Sequence, residues 1–238
     1  MNVPSLPQIP PPGAHALTLP GGTVLWLLPQ RAVAWPAARM AFVADVHFGK
    51  AATFRRAGQP VPHGTTADNL ARLDAVLCAT GAQHLVFLGD FLHARSGADE
   101  PLWAQLQPWR ERHAHIHMTL VRGNHDLHAG DPPPSLSIDL ADEPWHPVPG
   151  AEVLACHHPQ AAADGTVMAG HLHPTVMLQG LARDALRVPC FAWEPGLLVL
   201  PAFGAFTGTS SQSVAPSAQP FAVAGDRILP LRRAAAPA

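Results

Sequence analysis

Five times in this chain a short apolar run ends in side chains able to hold a metal ion. Met40 to Ala44 runs into Asp45-Val46-His47, and Leu85 to Leu88 into Gly89-Asp90. His117 to Val121 runs into Gly123-Asn124-His125-Asp126, Val153 to Cys156 into His157, and Val167 to Ala169 into Gly170-His171-Leu172-His173. A buried strand that stops at a polar residue places that residue at the edge of its sheet, where α/β folds open their ligand crevices. Several strands of one sheet ending alike would converge their side chains on one crevice.

The rest of the chain supports such a frame. Thr65 to Thr80 reads as a helix, capped by Thr65 or Thr66, with Leu70, Leu73 and Leu77 on one face and Gly81 closing it. Pro101 to Arg112 reads as a second helix with proline in its first turn. Thr23 to Leu28 is an earlier strand. After Gly130 no long helical pattern returns, and Val176 to Leu178, Leu186 to Phe191, Leu197 to Leu200 and Phe221 to Ala224 join the strands already noted. Alternating strands and helices followed by strands alone predict an α/β fold, with two sheets packed face to face and helices outside. The expected organisation is a lead-in over residues 1–22, a single domain over 23–206, a Ser/Gly/Pro-rich loop over 207–220 and a C-terminal strand and tail over 221–238.

Composition narrows the classes of function. The chain has 238 residues, 47% hydrophobic and 13% charged, which excludes wholesale disorder. The net charge of −2 excludes binding that rests on a bulk positive field, though not a locally gripped nucleic acid. Cys78, Cys156 and Cys190 form no C-x-x-C pair and no disulfide framework. The Pro-rich start carries no signal-peptide pattern, and no run approaches the ~18 apolar residues of a membrane span. A cytoplasmic setting is the resulting expectation.

Carboxylates, an amide oxygen and imidazoles, without thiolate, suit Mn²⁺, Fe or Zn²⁺. Asp45, His47, Asp90, Asn124, His157, His171 and His173 are too many for one tetrahedral site. With one bridging carboxylate they fill two neighbouring sites, and two metals ~3.5–4 Å apart can clamp a phosphoryl group for in-line displacement. His125 and Asp126 are then surplus: a histidine held by a carboxylate is what protonating a leaving oxygen requires. Lys50, the sole lysine, and Arg55, Arg56 and Arg122 are candidate phosphate contacts. The other histidines, His15, His84, His93, His113, His115, His117, His128 and His146, read as structural, with His93 a possible wall of the site because it follows Asp90 so closely.

The order D-x-H, G-D, G-N-H-D, H, G-H-x-H resembles the calcineurin-like metallophosphoesterase superfamily from about Phe42 to His173. A narrower similarity, to the bacterial ligase-associated DNA damage response endonucleases (the PdeM family), lies in six stretches. These are Ala44 to Lys50, Phe54 to Gly58 with Val61-Pro62-His63-Gly64-Thr65-Thr66, Arg122 to Asp126 with Ala169 to Pro174, and Pro201 to Gly208. The resemblance implies a four-layer αββα sandwich of two mixed sheets flanked by helices. It implies two divalent ions, Mn²⁺ foremost, and phosphodiesterase action on single-stranded or looped DNA, in repair beside a DNA helicase and an ATP-dependent DNA ligase. By the same resemblance Asp45, His47 and His173 hold one metal, Asn124, His157 and His171 the other, and Asp90 bridges them. His125 donates to the leaving group and Asp126 orients it. The family's His-x-Pro pattern favours His157, with His158 the alternative. Two other readings remain: a phosphomonoesterase or small-nucleotide hydrolase on the same scaffold, and a non-catalytic interaction module.

Overall fold

Three strands of a seven-stranded first sheet carry the first three clusters. The computed structural model describes residues 9–61, 64–180, 184–207 and 215–232. In chain order the elements are β1 (His15–Thr18), β2 (Val24–Leu28), β3 (Ala32–Trp35), β4 (Met40–Ala44), α1 (Lys50–Arg56), α2 (Thr65–Thr80) and β5 (His84–Leu88). There follow α3 (Glu100–Arg112), β6 (His117–Val121), α4 (Asn124–Ala129), β7 (Asp139–Ala141), β8 (Val153–Ala155) and β9 (Thr166–Ala169). The chain ends with β10 (Thr175–Gln179), β11 (Ala185–Glu194), β12 (Leu197–Val199), β13 (Gln219–Ala224) and β14 (Arg227–Pro230).

The first sheet runs β1-β2-β3-β4-β5-β6-β7, antiparallel up to β4 and parallel from β4 to β7. The second runs β14-β13-β11-β12-β9-β8, with β10 also on β11, and its β12-β9-β8 part is parallel. Both sheets are mixed, as expected. The C-terminal ends of β4, β5 and β6 lie side by side, as do those of β8 and β9, so the five clusters share one rim.

Alternation along the strands builds two cores. Leu25, Leu27, Phe42, Val86 and Leu88 face Ala155, Met168, Phe191, Leu198 and Phe221 between the sheets. The residues between them, such as Trp26, Val43, Leu85 and Phe87, face Leu70, Leu73 and Leu77 of α2 and Leu102, Leu106 and Trp109 of α3. At about 25 cal/mol per Å² of apolar surface, each such fully buried side chain stabilises the fold by roughly 1.5–3 kcal/mol, before the entropy of ordering is set against it.

Several local expectations change. The cap of α2 is Gly64 at φ 91, with no side-chain capping bond, because the entering backbone is left-handed there; neither Thr65 nor Thr66 serves. In α3 the cap is Asp99, whose carboxylate accepts the Leu102 N–H. β1 lies inside the expected lead-in and pairs with β2, so the sheet begins before residue 23. β13 is the expected C-terminal strand, and β14, within the expected tail, pairs with it in the second sheet. Two mixed sheets with helices are the expected fold, and α2 and α3 pack on the first sheet. Residues 1–8, 208–214 and 233–238 of the expected lead-in, loop and tail lie outside the described residues, as do Pro62 and His63 of the motif. Among the described residues no helix is long and apolar enough to cross a membrane.

Candidate metal centre

The turns after β4, β5 and β9 are held in an uncommon backbone conformation. Asp45, His47, Asp90, His171 and His173 all have positive φ, between 47° and 68°. Such a residue costs of order 1–3 kcal/mol outside glycine and persists where its surroundings over-determine it. Hydrogen bonds supply the determination: Asp45 N–H donates to Gly89 O at 3.3 Å, and His47 N–H to Asp90 O at 2.8 Å. The glycines of the motifs make room. A Cβ on Gly89 would overlap the His157 ring, and one on Gly170 would sit 2.7 Å from Asp45 Oδ2.

The side chains converge. Asp45 Oδ2 accepts the His171 N–H at 2.9 Å and lies 3.7 Å from His173 Nε2, while Asp45 Oδ1 lies 3.8 Å from His157 Nδ1. Asp90 Oδ2 lies 3.6 Å from His47 Nε2, and Asp90 Oδ1 lies 3.6 Å from His157 Nε2. Asn124 Oδ1 and His171 Nδ1 lie 2.9 and 3.1 Å from that same nitrogen. Among the described residues four donor groups have ligand atoms within 4.8 Å of one another: Asp45–His47–His173, Asp45–Asp90–His157, His157–His158–His171 and His47–His93–His125. All seven sequence-derived candidates are thus in one place.

The electrostatics fit cations. Asp90 is buried beside buried Asp45, and burial first, then that neighbour, push its carboxyl pKa up. Burial depresses the pKa of His47, with Lys50 and His173 adding to it, and burial likewise depresses His157 and His171. Neutral imidazoles are the ligand form. Asp45 Oδ1 and His47 Nδ1 are buried without a hydrogen-bond partner, and an acceptor left in that state destabilises a fold unless something else satisfies it. A divalent ion held by Asp45 would do so, and the oxygen/nitrogen donor set is the right chemistry for one.

His157 is fully buried in this cluster. The His158 side chain is 45% exposed and turns to Glu143 Oε1 at 2.6 Å. The geometry therefore points to His157 of the two. Glu143, which no motif flagged, accepts N–H bonds from both His157 (2.7 Å) and His158 (2.9 Å) and so pins the turn.

His125 heads α4 beside the centre, its Nε2 4.0 Å from Asp90 Oδ2 and its side chain 38% exposed. Its orientation differs from expectation. Asp126 accepts the Leu92 and Gly123 N–H groups at 3.1 and 2.9 Å, and the oxygen facing His125 Nδ1, at 2.9 Å, is the carbonyl of His93. Asp126 faces away because it closes the turn at the start of α4, and burial raises its pKa to about 6. The His93 ring stacks on His125, centroids 5.0 Å apart, which makes His93 the wall its position suggested.

The cationic candidates divide. Arg122 is held by both oxygens of Asp131, at 2.9 and 3.1 Å, and by Asp142 at 3.1 Å. Arg56 pairs with Asp99. Both are occupied by carboxylates, so neither stands free for a phosphate as expected. Lys50 starts α1 partly buried; burial lowers its pKa against the pull of Asp90 and Asp45. Arg55 lines the cleft between α1 and α3. Glu143 and the His93 carbonyl escaped the sequence reading because neither sits in a strand-end motif.

Two packed mixed sheets with a doubly acidic, imidazole-lined rim define a metal-dependent phosphoesterase. The model of the calcineurin-like phosphoesterase family matches residues 38–183, more than half of the chain, and the chain belongs to that family. It is similar to the solved structure of Pseudomonas putida nuclease MPE, at 39% identity over 92% of this chain and 100% of that one, with a TM-score of 0.77. This is consistent with the narrower motif resemblance. The phosphoesterase Yfce from E. coli aligns over 82% of this chain and 99% of its own, at 16% identity and a TM-score of 0.42, too remote to add to the fold or the function. No curated protein sequence matches this chain.

Proposed function

We propose that the chain is a phosphodiesterase that cuts single-stranded or looped DNA with Mn²⁺ in its two sites. The observation that carries the reading is the placement of Asp90 between His47 and His157, at 3.6 Å from each, which suits a carboxylate shared by two cations. The likeness to a solved nuclease supports nucleic acid as the substrate. Asp45, His47 and His173 would hold one ion, and Asn124, His157 and His171 the other. When bound, the pair supplies Lewis-acid stabilisation to a phosphoryl group in line for displacement. Nδ1 of His125 donates to the His93 carbonyl, which leaves Nε2 facing the centre. Protonated at Nε2, His125 can donate to the leaving oxygen, and by returning to neutral it completes the transfer. A setting in DNA repair, with a helicase and an ATP-dependent ligase nearby, is part of this proposal and rests on the motif resemblance.

One observation favours a smaller ester: Arg56 and Arg122 are already neutralised by Asp99, Asp131 and Asp142. A Mn²⁺ titration of the metal-stripped chain with circular single-stranded DNA, nitrophenyl phosphate and bis-nitrophenyl phosphate separates the readings. Nicking of the circle is expected. Hydrolysis of the monoester alone overturns the proposal in favour of a phosphomonoesterase, and no hydrolysis of any substrate leaves a binding module.

A further inference from the structure

Of nine phenylalanines, seven are fully buried in the core: Phe42, Phe48, Phe87, Phe91, Phe191, Phe203 and Phe221. The other two, Phe54 and Phe206, are partly exposed, and they meet each other beside the His93 ring although 152 positions apart in sequence. They end a line of rings. His47 and His125 lie 5.1 Å apart by centroid, His125 and His93 5.0 Å, His93 and Phe54 5.8 Å, and Phe54 and Phe206 5.6 Å. Lys50 precedes Phe54 by four positions on α1, so the two share a helix face. His47, Lys50, Asn69 and Phe206 border one small cavity of about 10 Å³, room for a single water, which places Phe206 beside the start of α1. A cation followed by aromatic surface, leading away from the reacting phosphate, matches the alternation of charge and base along a nucleic-acid strand.

We propose that Phe54 and Phe206 form a stacking step for the nucleobase adjoining the scissile phosphate, with Lys50 facing that nucleotide's phosphate. The inference rests on the nucleic-acid phosphodiesterase reading and deepens it. A paired base is already stacked within its duplex and reaches the rings only by leaving it, so the step selects single-stranded or looped substrate. Stacking on a ring accepts any base, so no sequence preference accompanies it.

The test uses the Mn²⁺-loaded full chain and two single-stranded oligomers of equal length, oligothymidylate and an abasic oligomer with the same phosphates. The wild-type chain is expected to favour thymidylate in kcat/KM by roughly 5- to 150-fold, the range that base–aromatic stacking supplies. Phe54→Leu and Phe206→Leu are expected to bring that ratio towards one, with thermal midpoints recorded to show that each variant is folded. If the wild type cuts both oligomers equally well, the stacking step is overturned without recourse to any variant. A folded variant that keeps the wild-type ratio, losing on both oligomers alike, makes the rings structural and overturns it as well. A chain that hydrolyses bis-nitrophenyl phosphate and cuts neither oligomer overturns the nucleic-acid reading itself, an outcome distinct from failure of the step alone.

Discussion

The carboxylate of Glu143 accepts the backbone N–H of His157 at 2.7 Å, joining the loop after β7 to a residue of the metal centre. The same group accepts from His158 through both backbone and ring, and these bonds outweigh burial to hold its pKa below the usual glutamate value. Partners one step removed from a metal typically change affinity 10–100-fold when lost. Glu143→Ala is therefore expected to weaken metal binding about 10–100-fold. A calorimetric Mn²⁺ titration checks it; unchanged affinity in a folded variant would show that the turn holds itself.

Asp90→Ala removes the oxygens that face both His47 and His157. The expected result is loss of both ions and of essentially all turnover. Elemental analysis reads the stoichiometry, and two ions per chain in the variant would refute a shared carboxylate.

His125→Ala leaves Asp90, His157 and Asn124 in place and removes only the group beside them. Metal content is expected to stay. Cleavage of DNA, with its poor leaving group, is expected to fall ~10²–10⁴-fold, and that of a nitrophenyl diester far less. Equal slowing of the two would remove the proton-donor role.

Gly89→Ala places a methyl group inside the His157 ring at a backbone φ of 72°. Overpacking and left-handed strain each cost ~1–3 kcal/mol. Loss of a few kcal/mol in urea denaturation together with weakened metal binding is expected. Native stability with full metal content would mean that the turn can relax.

His84, at the opposite end of β5 from the centre, bonds Thr119 Oγ1 at 2.9 Å. Its pKa is pushed down to about 4 by burial and by neighbouring His117. In the unfolded chain it protonates near pH 6.5, so in acid the unfolded state binds the extra proton. The stability it contributes is present above pH ~6.5 and is lost progressively as pH falls towards about 4. In metal-free protein, His84→Gln is expected to flatten the fall in urea midpoint between pH 7 and 4.5. A slope identical to wild type would assign the acid sensitivity elsewhere.

The sequence by itself determined the strands that end in candidate ligands, the types of those residues, and helix α2 to the residue, because each is written in a contiguous pattern of burial and charge. It missed β1, β3, β7 and β14, short strands of three or four residues whose existence depends on the neighbour they pair with. Only tertiary structure separates His157 from His158, because packing buries one ring and leaves the other to Glu143. It also gave the orientation of His125 to a carbonyl rather than to Asp126, and withdrew Arg56 and Arg122 into carboxylate pairs. Phe54 and Phe206 show the limit most plainly. A phenylalanine in sequence reads as core, and whether its ring meets the interior or an open site depends on contacts between segments that share no local pattern.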